Sequence, residues 1–494
     1  MITLVYHNGI AITEHYSGLP IVKAIYKCAQ EHPDDYLLIY EKDTDIESFQ
    51  AQLPELNHRA YFISNYNSVS EDLGYVEDGP FIKINKNVIY PTWLKSTAIV
   101  CIHSQLVIMT EDSHSSESNY LYWVNSIGKT SLSLGVLNYQ IPFIEENQCF
   151  NDKQLYKFVR QHYKTRWLFI LLLCHLWYEK RFPLLAFMNS FFHSAIFIKA
   201  NVSSLQNHEI EKINDDFIYD VVIPTMGRSS YLKDVLIDLN NQTMLPNTVI
   251  IIEQNADSLA TSELDFIQNE QWNFNIQHEF THITGACRAR NRAISLSKSK
   301  WILLFDDDVR VGEGFSNQIF EFILHTRVKC LTVSCLQKGE KEKNHTFLQW
   351  PAFGSGCSIV HREVIEKCKF DMALEHGYGE DVDYGMQIRN AGYDVIYVPH
   401  INMLHLKAPV GGFRKPHFFP WQEDAIQPKP SPQIMYHRKK NYTAKQLLGY
   451  KLTLFIKFYK DYSIKNPLSY YKYFKKAWSK SMYWSQKLAK DAEV

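Results

Sequence analysis

The segment WILLFDDDVR, residues 301–310, decides the fold of the larger part of this chain. Five consecutive apolar residues predict a strand buried on both faces, and Asp306, Asp307 and Asp308 follow directly at its end. Three adjacent carboxylates repel one another and resist burial, so a fold that places them there normally supplies a cation. Carboxylate oxygens suit Mg²⁺ or Mn²⁺, with phosphate oxygens completing the coordination shell. An exposed acidic turn is the alternative interpretation.

Upstream of this strand, strands and helices alternate. DVVIPT (220–225) and TVIIIE (248–253) predict buried strands, and apolar residues at helical spacing over 230–242 predict the helix between them. A strand near 274–280 and a helix over 285–296 continue the pattern. Such alternation predicts an α/β fold with a largely parallel sheet. Because ligands of these sheets bind beyond the carboxyl ends of the strands, we expect the polar residues at three strand ends to converge in one crevice.

Two further segments place polar residues at helix starts. TGACRARNRAISLS (284–297) opens with a glycine and carries arginines in its first turns, which suits a diphosphate; a basic surface helix is the alternative. GYGEDVDYGMQIRNAG (377–392) sets Glu380 and Asp381 at a helix start, where the helix dipole favours carboxylates. Simple capping is the alternative for this pair.

The order of these motifs resembles a known family. VVIPTxGR, VIIIEQN, GACRARN, LLFDDDV, GSG and GYGEDVDYGMQIRNAG, followed by a histidine, resemble the GT-A catalytic domain of inverting family 2 glycosyltransferases over about residues 217–413. The resemblance implies a Rossmann-like fold with a mostly parallel central sheet, a nucleotide-sugar donor with a UDP-sugar as first candidate, and bound Mn²⁺ or Mg²⁺. It also implies one displacement that inverts the anomeric centre.

The resemblance also implies roles for individual residues. The residues expected to bind the nucleotide-sugar are Pro224, Thr225, Arg228, Glu253, Arg290, Asn291, Asp306 and Asp307. The expected metal ligands are Asp308, Asp306 and His405, with His400 competing for the last place. Asp381 and Glu380 form the catalytic pair, with Asp381 as general base. The expected acceptor contacts are Trp350, Gly354, Ser355 and Gly356. Gly411 and Gly412 would let the following loop close over the donor.

The first 150 residues echo this order without its acids. YLLIYEKD (36–43) is placed like WILLFDDD, residues 96–107 like GSGCSIVHREVI, and residues 120–143 like the segment that begins with Glu380. The acidic pair is missing, which favours a degenerate GT-A-like repeat acting as a scaffold or glycan-binding module over a second catalyst. Chance similarity between two α/β domains is the alternative.

Composition limits the other function classes. The chain has 494 residues, 46% of them apolar, with 52 Lys and Arg against 53 Asp and Glu, so it is neither disordered nor a nucleic-acid-binding polycation. Nine cysteines without a CxxC pair favour the reducing cytoplasm. We predict four segments: an N-terminal α/β domain (1–150), a helical linker (151–215), the catalytic domain (216–413) and a basic aromatic helical region (414–494).

Two features raise the question of a membrane. Residues 435–494 carry 14 Lys and Arg against 3 Asp and Glu, together with many aromatic residues, which predicts peripheral attachment to an anionic inner membrane face. A tail that folds back on the acidic body is the alternative. The apolar runs 167–177 and 182–198 are too short to span a bilayer and predict either a packed helical hairpin or helices resting in a membrane face.

The function predicted from these observations is metal-dependent, inverting transfer of a sugar to a glycan or lipid-linked acceptor. A catalytically inactive glycan- or nucleotide-binding protein of the same fold is one alternative. A two-site polysaccharide polymerase that uses both halves of the chain is the other.

Overall fold

The computed structural model describes residues 1–53, 61–67, 69–146, 148–196, 217–409, 417–460 and 464–491. The chain forms two compact units. Unit 1 comprises Met1–Glu209 and Asn441–Pro467, and unit 2 comprises Ile210–Lys440 and Leu468–Val494. Helices predicted as a linker therefore belong to unit 1, and the C-terminal region is divided between both units.

Unit 1 is built around one mixed sheet. Its strands are β1 (Ile2–His7), β2 (Ile10–Ala11), β3 (Tyr36–Glu41), β4 (Tyr61–Asn67), β5 (Tyr90–Pro91), β6 (Ile99–His103) and β7 (Leu137–Glu146). Its helices in the first half are α1 (Ile21–Glu31), α2 (Glu47–Gln50), α3 (Ser104–Met109), α4 (Glu111–His114) and α5 (Tyr120–Ser131). The strand order is β2-β1-β3-β6-β4-β7-β5. Helices α1, α3 and α5 bury their apolar sides with this sheet in one core.

Four more helices complete unit 1. They are α6 (Asp152–His162), α7 (Arg166–Cys174) with a π-helical turn at His175–Glu179, α8 (Leu184–Ser190) and, from the C-terminal region, α16 (Ala444–Tyr459). The apolar run 167–177 is helical as predicted, whereas only the first part of the run 182–198 forms a described helix. Within the described residues, every helix is too short or too polar to cross a bilayer.

Unit 2 contains the larger sheet. Its strands are β8 (Tyr219–Thr225), β9 (Thr248–Gln254), β10 (Asn275–Thr281), β11 (Trp301–Phe305), β12 (Val309–Arg310), β13 (Cys330–Gln337), β14 (Leu348–Gln349), β15 (Cys357–His361) and β16 (Ile396–His405). Its helices are α9 (Ser229–Asn240), α10 (Phe266–Asn269), α11 (Ala286–Leu296), α12 (Phe315–Thr326), α13 (Arg362–Ile365), α14 (Glu380–Asn390), α15 (Pro432–Asn441) and α17 (Pro467–Asp491).

The strand order of this sheet places the predicted site. Strands run β10-β9-β8-β11-β15-β13-β16-β12, and β14 pairs with β16. The first four are mutually parallel, as the alternating pattern predicts, and β15 runs antiparallel to β11. The carboxyl ends of β8, β9 and β11 therefore meet at one edge of the sheet. The three aspartates lie at that edge, directly after β11.

The two units repeat one topology. The order β1-β3-β6-β4-β7 matches β8-β11-β15-β13-β16, with the same parallel and antiparallel pairings at every step. The registers agree too: Tyr36 pairs with His103 as Trp301 pairs with His361. Each of these histidines accepts a hydrogen bond at the start of the next helix. Unit 1 is thus a second α/β unit with the same central path as unit 2.

Aromatic side chains fill the positions of unit 1 that correspond to the crevice of unit 2. Glu41 donates its backbone N–H to Ala98 as Asp306 does to Gly356, so these residues correspond. Tyr6 donates its hydroxyl to the carbonyl of Thr97 at 2.7 Å, and its ring meets Tyr120, the first residue of α5, at 5.4 Å. Both tyrosines are buried. Two buried tyrosines therefore lie beside Glu41 in the described part of unit 1.

Candidate active site

Asp307, the middle aspartate of the triplet, is hydrogen-bonded to residues at the end of β8 and just after it. Asp307 accepts hydrogen bonds from the Thr225 hydroxyl at 2.7 Å and from Nη1 of Arg228 at 2.6 Å. Burial raises the pKa of Asp307 to about 6, an effect that Arg228 and Thr225 only partly offset. Asp307 therefore connects the end of β11 to the end of β8. Pro224, near the end of β8, is half-buried.

The last aspartate lies beside the predicted histidine. Nε2 of His405 is 3.5 Å from Oδ1 of Asp308, and the backbone N–H of Ala408 donates to Oδ2 at 2.8 Å. The hydrogen bond with Asp308 raises the pKa of His405. His405 rather than His400 thus meets the aspartates.

The strand that carries His405 is longer than its sequence indicates. The segment DVIYVP (394–399) predicts a strand that ends at Pro399, but β16 continues to His405, which lies opposite Val309. Residues 399–401 are left out of the ladder with β13, between Val398 and Asn402. A proline cannot donate a ladder hydrogen bond, and a bulge at this point lets the strand resume beyond it.

One tight turn lies close to both Asp306 and Asp381. A Cβ at position 356 would overlap the carboxylate of Asp306, so that carboxylate lies directly against Gly356. The neighbouring Ser355 lies beside Asp381, and its polar groups partly offset the rise in pKa that burial gives that carboxyl group. The GSG turn, residues 354–356, is therefore close to both Asp306 and Asp381.

Arg290 lies buried between these acids with unused donors. Its Nη2 is 3.3 Å from Oδ1 of Asp306, and the charges of Asp306, Asp381 and Glu380 raise the pKa of its guanidinium despite burial. Its Nε and Nη1 have no hydrogen-bond partner in the described structure, and the same is true of Oδ1 of Asp381. Buried polar groups are nearly always hydrogen-bonded in folded proteins, so these partnerless atoms are candidates for contacts with a ligand.

The acidic pair begins α14 in a poorly solvated position. Burial, together with the charge of Asp381, raises the pKa of Glu380 to about 7, and burial raises the pKa of Asp381 as well. A carboxylate whose pKa is raised toward neutrality takes up a proton more readily near physiological pH. The pair therefore suits general-base chemistry.

Three predicted site residues are engaged by neighbouring protein groups. Glu253 accepts hydrogen bonds from Ser262, from the backbone of Glu263 and from His278. Both amide atoms of Asn291 bond the backbone of Phe370. Trp350 is half-buried and stacks on Tyr397 at 4.3 Å. Their roles toward nucleotide and acceptor stay predictions. Gly411 and Gly412 lie outside the described residues.

The start of α11 is already occupied, which the sequence did not indicate. The carboxylate of Glu375 accepts the backbone N–H groups of Cys287 and Arg288 at 3.0 and 2.9 Å. Gly285 has φ +147°, and a Cβ there would overlap Glu375. The expected diphosphate contact with this helix start is therefore replaced by a protein carboxylate. A lone glutamate 90 residues downstream gives no sequence signal of such a cap.

The residues at the aspartates fit a divalent metal ion. Asp308 and His405 bring an oxygen and a nitrogen ligand to 3.5 Å of each other, a spacing suited to two neighbouring ligands of one ion. Asp306 is more than a third exposed at the same edge and has a carboxylate oxygen directed to Arg290. In the described structure, the groups that form a tight three-residue cluster of ligand atoms are Asp72, His175 and Glu179 of unit 1, so the aspartates and His405 form a looser set.

Comparison with known proteins identifies the class of unit 2. Residues 220–369 match the model of the family "Glycosyl transferase family 2", so unit 2 contains a family 2 glycosyltransferase domain with the GT-A fold. No match to a curated protein is found.

Solved structures with similar folds include two glycosyltransferases. Staphylococcus aureus TarS 1–349 in complex with UDP-GlcNAc is 13% identical, with a TM-score of 0.38, 49% of this chain and 73% of that chain covered. GalNAc-T7 with UDP, GalNAc and Mn²⁺ is 15% identical, with a TM-score of 0.34 and coverages of 40% and 47%. Because both TM-scores are below 0.5, the assignment rests on the family match and on the site geometry.

Proposed function

We propose that unit 2 is an inverting glycosyltransferase that uses a UDP-sugar and a divalent metal ion, Mn²⁺ or Mg²⁺, to glycosylate a glycan or lipid-linked acceptor. The observation that carries this proposal is the GSG turn. Gly356 of this turn lies against the Asp306 carboxylate and Ser355 lies beside Asp381, while Arg290 has donors without a partner near both acids. In this proposal, the donor diphosphate, the transferred sugar and the general base lie next to one another.

Asp381 is the proposed general base. Its Oδ1 has no partner in the described structure and accepts the proton of the acceptor hydroxyl as that oxygen attacks the anomeric carbon. Attack on the face opposite the departing diphosphate inverts the centre in one displacement. Burial raises the pKa of both carboxyl groups, and a proton on Glu380, whose pKa is about 7, would relieve the repulsion between them.

Cationic groups stabilise the leaving diphosphate. The unused Nε and Nη1 of Arg290 are directed to a ligand, and Arg228 lies within 3.3 Å of Asp308 at the same edge. A bound Mn²⁺ or Mg²⁺ neutralises charge that builds on the diphosphate. Asp308, His405 and Asp306 are the residues that would hold it, with His405 in its neutral form.

Particular residues argue against the two alternative functions, a two-site polymerase and an inactive binding protein. A two-site polymerase needs a second nucleotide crevice, but the corresponding positions of unit 1 carry Ala98 in place of Gly356 and the buried Tyr6 and Tyr120. A binding protein without catalytic activity would not need carboxyl groups with a raised pKa, such as Glu380 and Asp381, next to the partnerless donors of Arg290. We place the activity on the cytoplasmic side. Nucleotide-sugars are available there, and the reducing environment suits the nine unpaired cysteines.

A thermal-shift screen tests the proposal. Wild-type protein is melted with UDP-, GDP- and dTDP-sugars, each with and without Mn²⁺, and hits are assayed for donor hydrolysis and transfer. We expect a UDP-sugar with Mn²⁺ to raise the melting temperature, because a ligand that binds the folded state alone stabilises it. Absence of any nucleotide-dependent shift would contradict the proposed donor class, and binding without turnover would favour the inactive binding protein.

A further inference from the structure

Exposed apolar side chains concentrate in one short stretch of unit 1. Among the described residues, ten of the large hydrophobic side chains that are exposed lie between Phe169 and Phe192. Leu185 and Phe192 are each 87% exposed, and Trp177 is 57% exposed. Single exposed apolar residues are ordinary on protein surfaces, but a cluster of this density marks an interaction surface.

This surface is preformed rather than loose. The opposite sides of α7 and α8 bury Leu168, Leu171 and Phe187 in the core of unit 1. The rings of Phe169 and Phe191 both contact Phe187, at 5.3 and 5.2 Å, which joins the outer sides of the two helices. We call this surface the apolar face and define it by Phe169, Trp177, Phe182, Leu185, Met188 and Phe192.

An ion cluster beneath the π-helical turn holds the face in place. Arg181 pairs with Asp72 at 2.5 Å and with Glu179 at 2.6 Å, and Lys445 of α16 pairs with both of these acids. His175 is fully buried beside Asp72. Arg181 and Lys445 therefore neutralise the acids of this cluster, and Glu179 is paired with both cations.

The segment that carries the apolar face has a positive net charge. Lys164, Arg166 and Lys180 are exposed within or next to it, and Glu179 is the one acidic residue between positions 164 and 192. Lys180 lies 5.8 Å from the ring of Trp177, an arrangement of cation and indole that suits the headgroup region of a bilayer. A second copy of the same face would bring like charges together, so charge complementarity favours an anionic lipid surface.

We propose that unit 1 docks on anionic membranes through this apolar face. Helices α7 and α8 contain 9 and 7 residues, far short of the ~20 needed to span a bilayer, so they lie in the plane of the interface. The apolar side chains enter the acyl boundary, while Lys164, Arg166 and Lys180 meet lipid phosphates. This docking does not depend on the proposed transferase activity.

Three of the basic residues in the C-terminal region are already paired with acids. Lys445 is used in the ion cluster of unit 1, Lys440 pairs with Asp371 and Asp383, and Lys480 pairs with Asp424. Tyr470, Phe474 and Trp478 of α17 are buried. The attachment of residues 435–494 to membranes stays a prediction, and the same experiment compares it with the apolar face.

Flotation of the full-length chain with vesicles tests the proposal. The vesicles contain phosphatidylcholine alone or phosphatidylcholine with phosphatidylglycerol. We compare wild type with Leu185→Glu/Phe192→Glu and with the control Leu259→Glu/Ile283→Glu, whose two positions in unit 2 are 89% and 60% exposed. A third variant, Lys475→Glu/Lys476→Glu, changes two exposed cations of α17.

We expect wild type and the unit 2 control to float with the anionic vesicles. The apolar-face variant should lose on the order of tenfold or more in bound fraction, and wild-type binding should partly survive high salt because it includes apolar insertion. All variants change exposed positions, and unchanged melting temperatures verify their folding.

Three results would overturn the proposal. The first is absence of wild-type flotation with either vesicle, and the second is equal flotation of wild type and the apolar-face variant. The third is a loss of dimer in the apolar-face variant without any change in flotation, which would assign the face to a second copy of the chain. Loss of flotation in the Lys475/Lys476 variant alone would assign the attachment to the C-terminal tail instead.

Discussion

The carboxylate of Asp306 occupies the space that a Cβ at position 356 would need. The backbone of the two residues is also joined, because the Asp306 N–H donates to the Gly356 carbonyl at 3.2 Å. In unit 1 the corresponding hydrogen bond joins Glu41 to Ala98, whose side chain is a methyl group where position 356 has none. This methyl group is one difference between the candidate active site and unit 1, together with the buried Tyr6 and Tyr120.

Gly356→Ala should therefore impair the donor site. The added methyl group pushes the Asp306 carboxylate away from Arg290, and we expect the donor-dependent thermal shift to shrink and transfer to fall on the order of tenfold. Gly312→Ala is the matched control, because its Cβ would meet no atom within 4 Å. Full transfer by Gly356→Ala would show that Asp306 has no fixed role.

Asp308→Ala should abolish metal-dependent donor binding, and His405→Ala should weaken it by roughly 10- to 100-fold. Both changes remove a ligand atom of the proposed ion, and Asp308 also anchors the backbone of Ala408. Calorimetric titration with donor in the presence and absence of Mn²⁺ measures the effect. The control is Glu313→Ala, an exposed acid of unit 2. Unchanged Mn²⁺ dependence in both variants would remove these residues from the metal site.

Asp381→Asn should keep donor binding but lower transfer on the order of 100-fold or more, the usual scale for loss of a general base. The amide of the variant has nearly the same size and shape as the carboxylate, but it cannot take up the proton of the acceptor hydroxyl. Glu380→Gln is the comparison, with a smaller expected loss. If Glu380→Gln is inactive and Asp381→Asn is not, the base is the other carboxylate.

Glu380→Gln should stabilise the metal-free protein at high pH. Because the folded-state pKa of Glu380 is raised to about 7, its protonated form stabilises the fold at low pH, and this contribution is lost as pH rises toward and through 7. The variant cannot ionise there, so its unfolding free energy should exceed that of wild type by at most about 3 kcal/mol at pH 8. Denaturant titrations at pH 5 and pH 8 measure the difference. Parallel pH profiles of the two proteins would contradict the raised pKa.

The double variant Glu41→Gln/Asp43→Asn should leave transfer nearly unchanged. These acids follow β3 as the aspartates follow β11, but buried tyrosines fill the neighbouring space. Product analysis after extended incubation is the measurement. Loss of one of two linkages in the product would instead support a polymerase with a second site in unit 1.

Local patterns predicted the framework of unit 2 well. The helix expected over 230–242 is α9 (Ser229–Asn240), and the strand expected at 301–305 is β11. Helical and strand periodicities are properties of neighbouring residues, so they can be read from the chain directly. The extension of β16 to His405 was missed, because it depends on a bulge that forms against β13.

The contacts of the site residues could be predicted less well from local sequence patterns. The aspartates and Glu380 and Asp381 are visible as motifs, but Glu375, which caps α11 from far along the chain, is not. Asn291 belongs to a motif of the family yet binds the Phe370 backbone with both amide atoms. Such pairings depend on which loops the fold brings together.

The sequence by itself determined the class of fold and the chemical kinds of group available, because buried strands and acidic strand ends are local patterns. Only the tertiary structure decided that Ser355 lies beside Asp381, that Gly356 makes room for Asp306 and that Arg290 has donors without a partner near them. It also decided which sides of α7 and α8 are exposed. Burial, clashes and unpartnered atoms arise from contacts between distant segments, and the linear order of residues does not contain those distances.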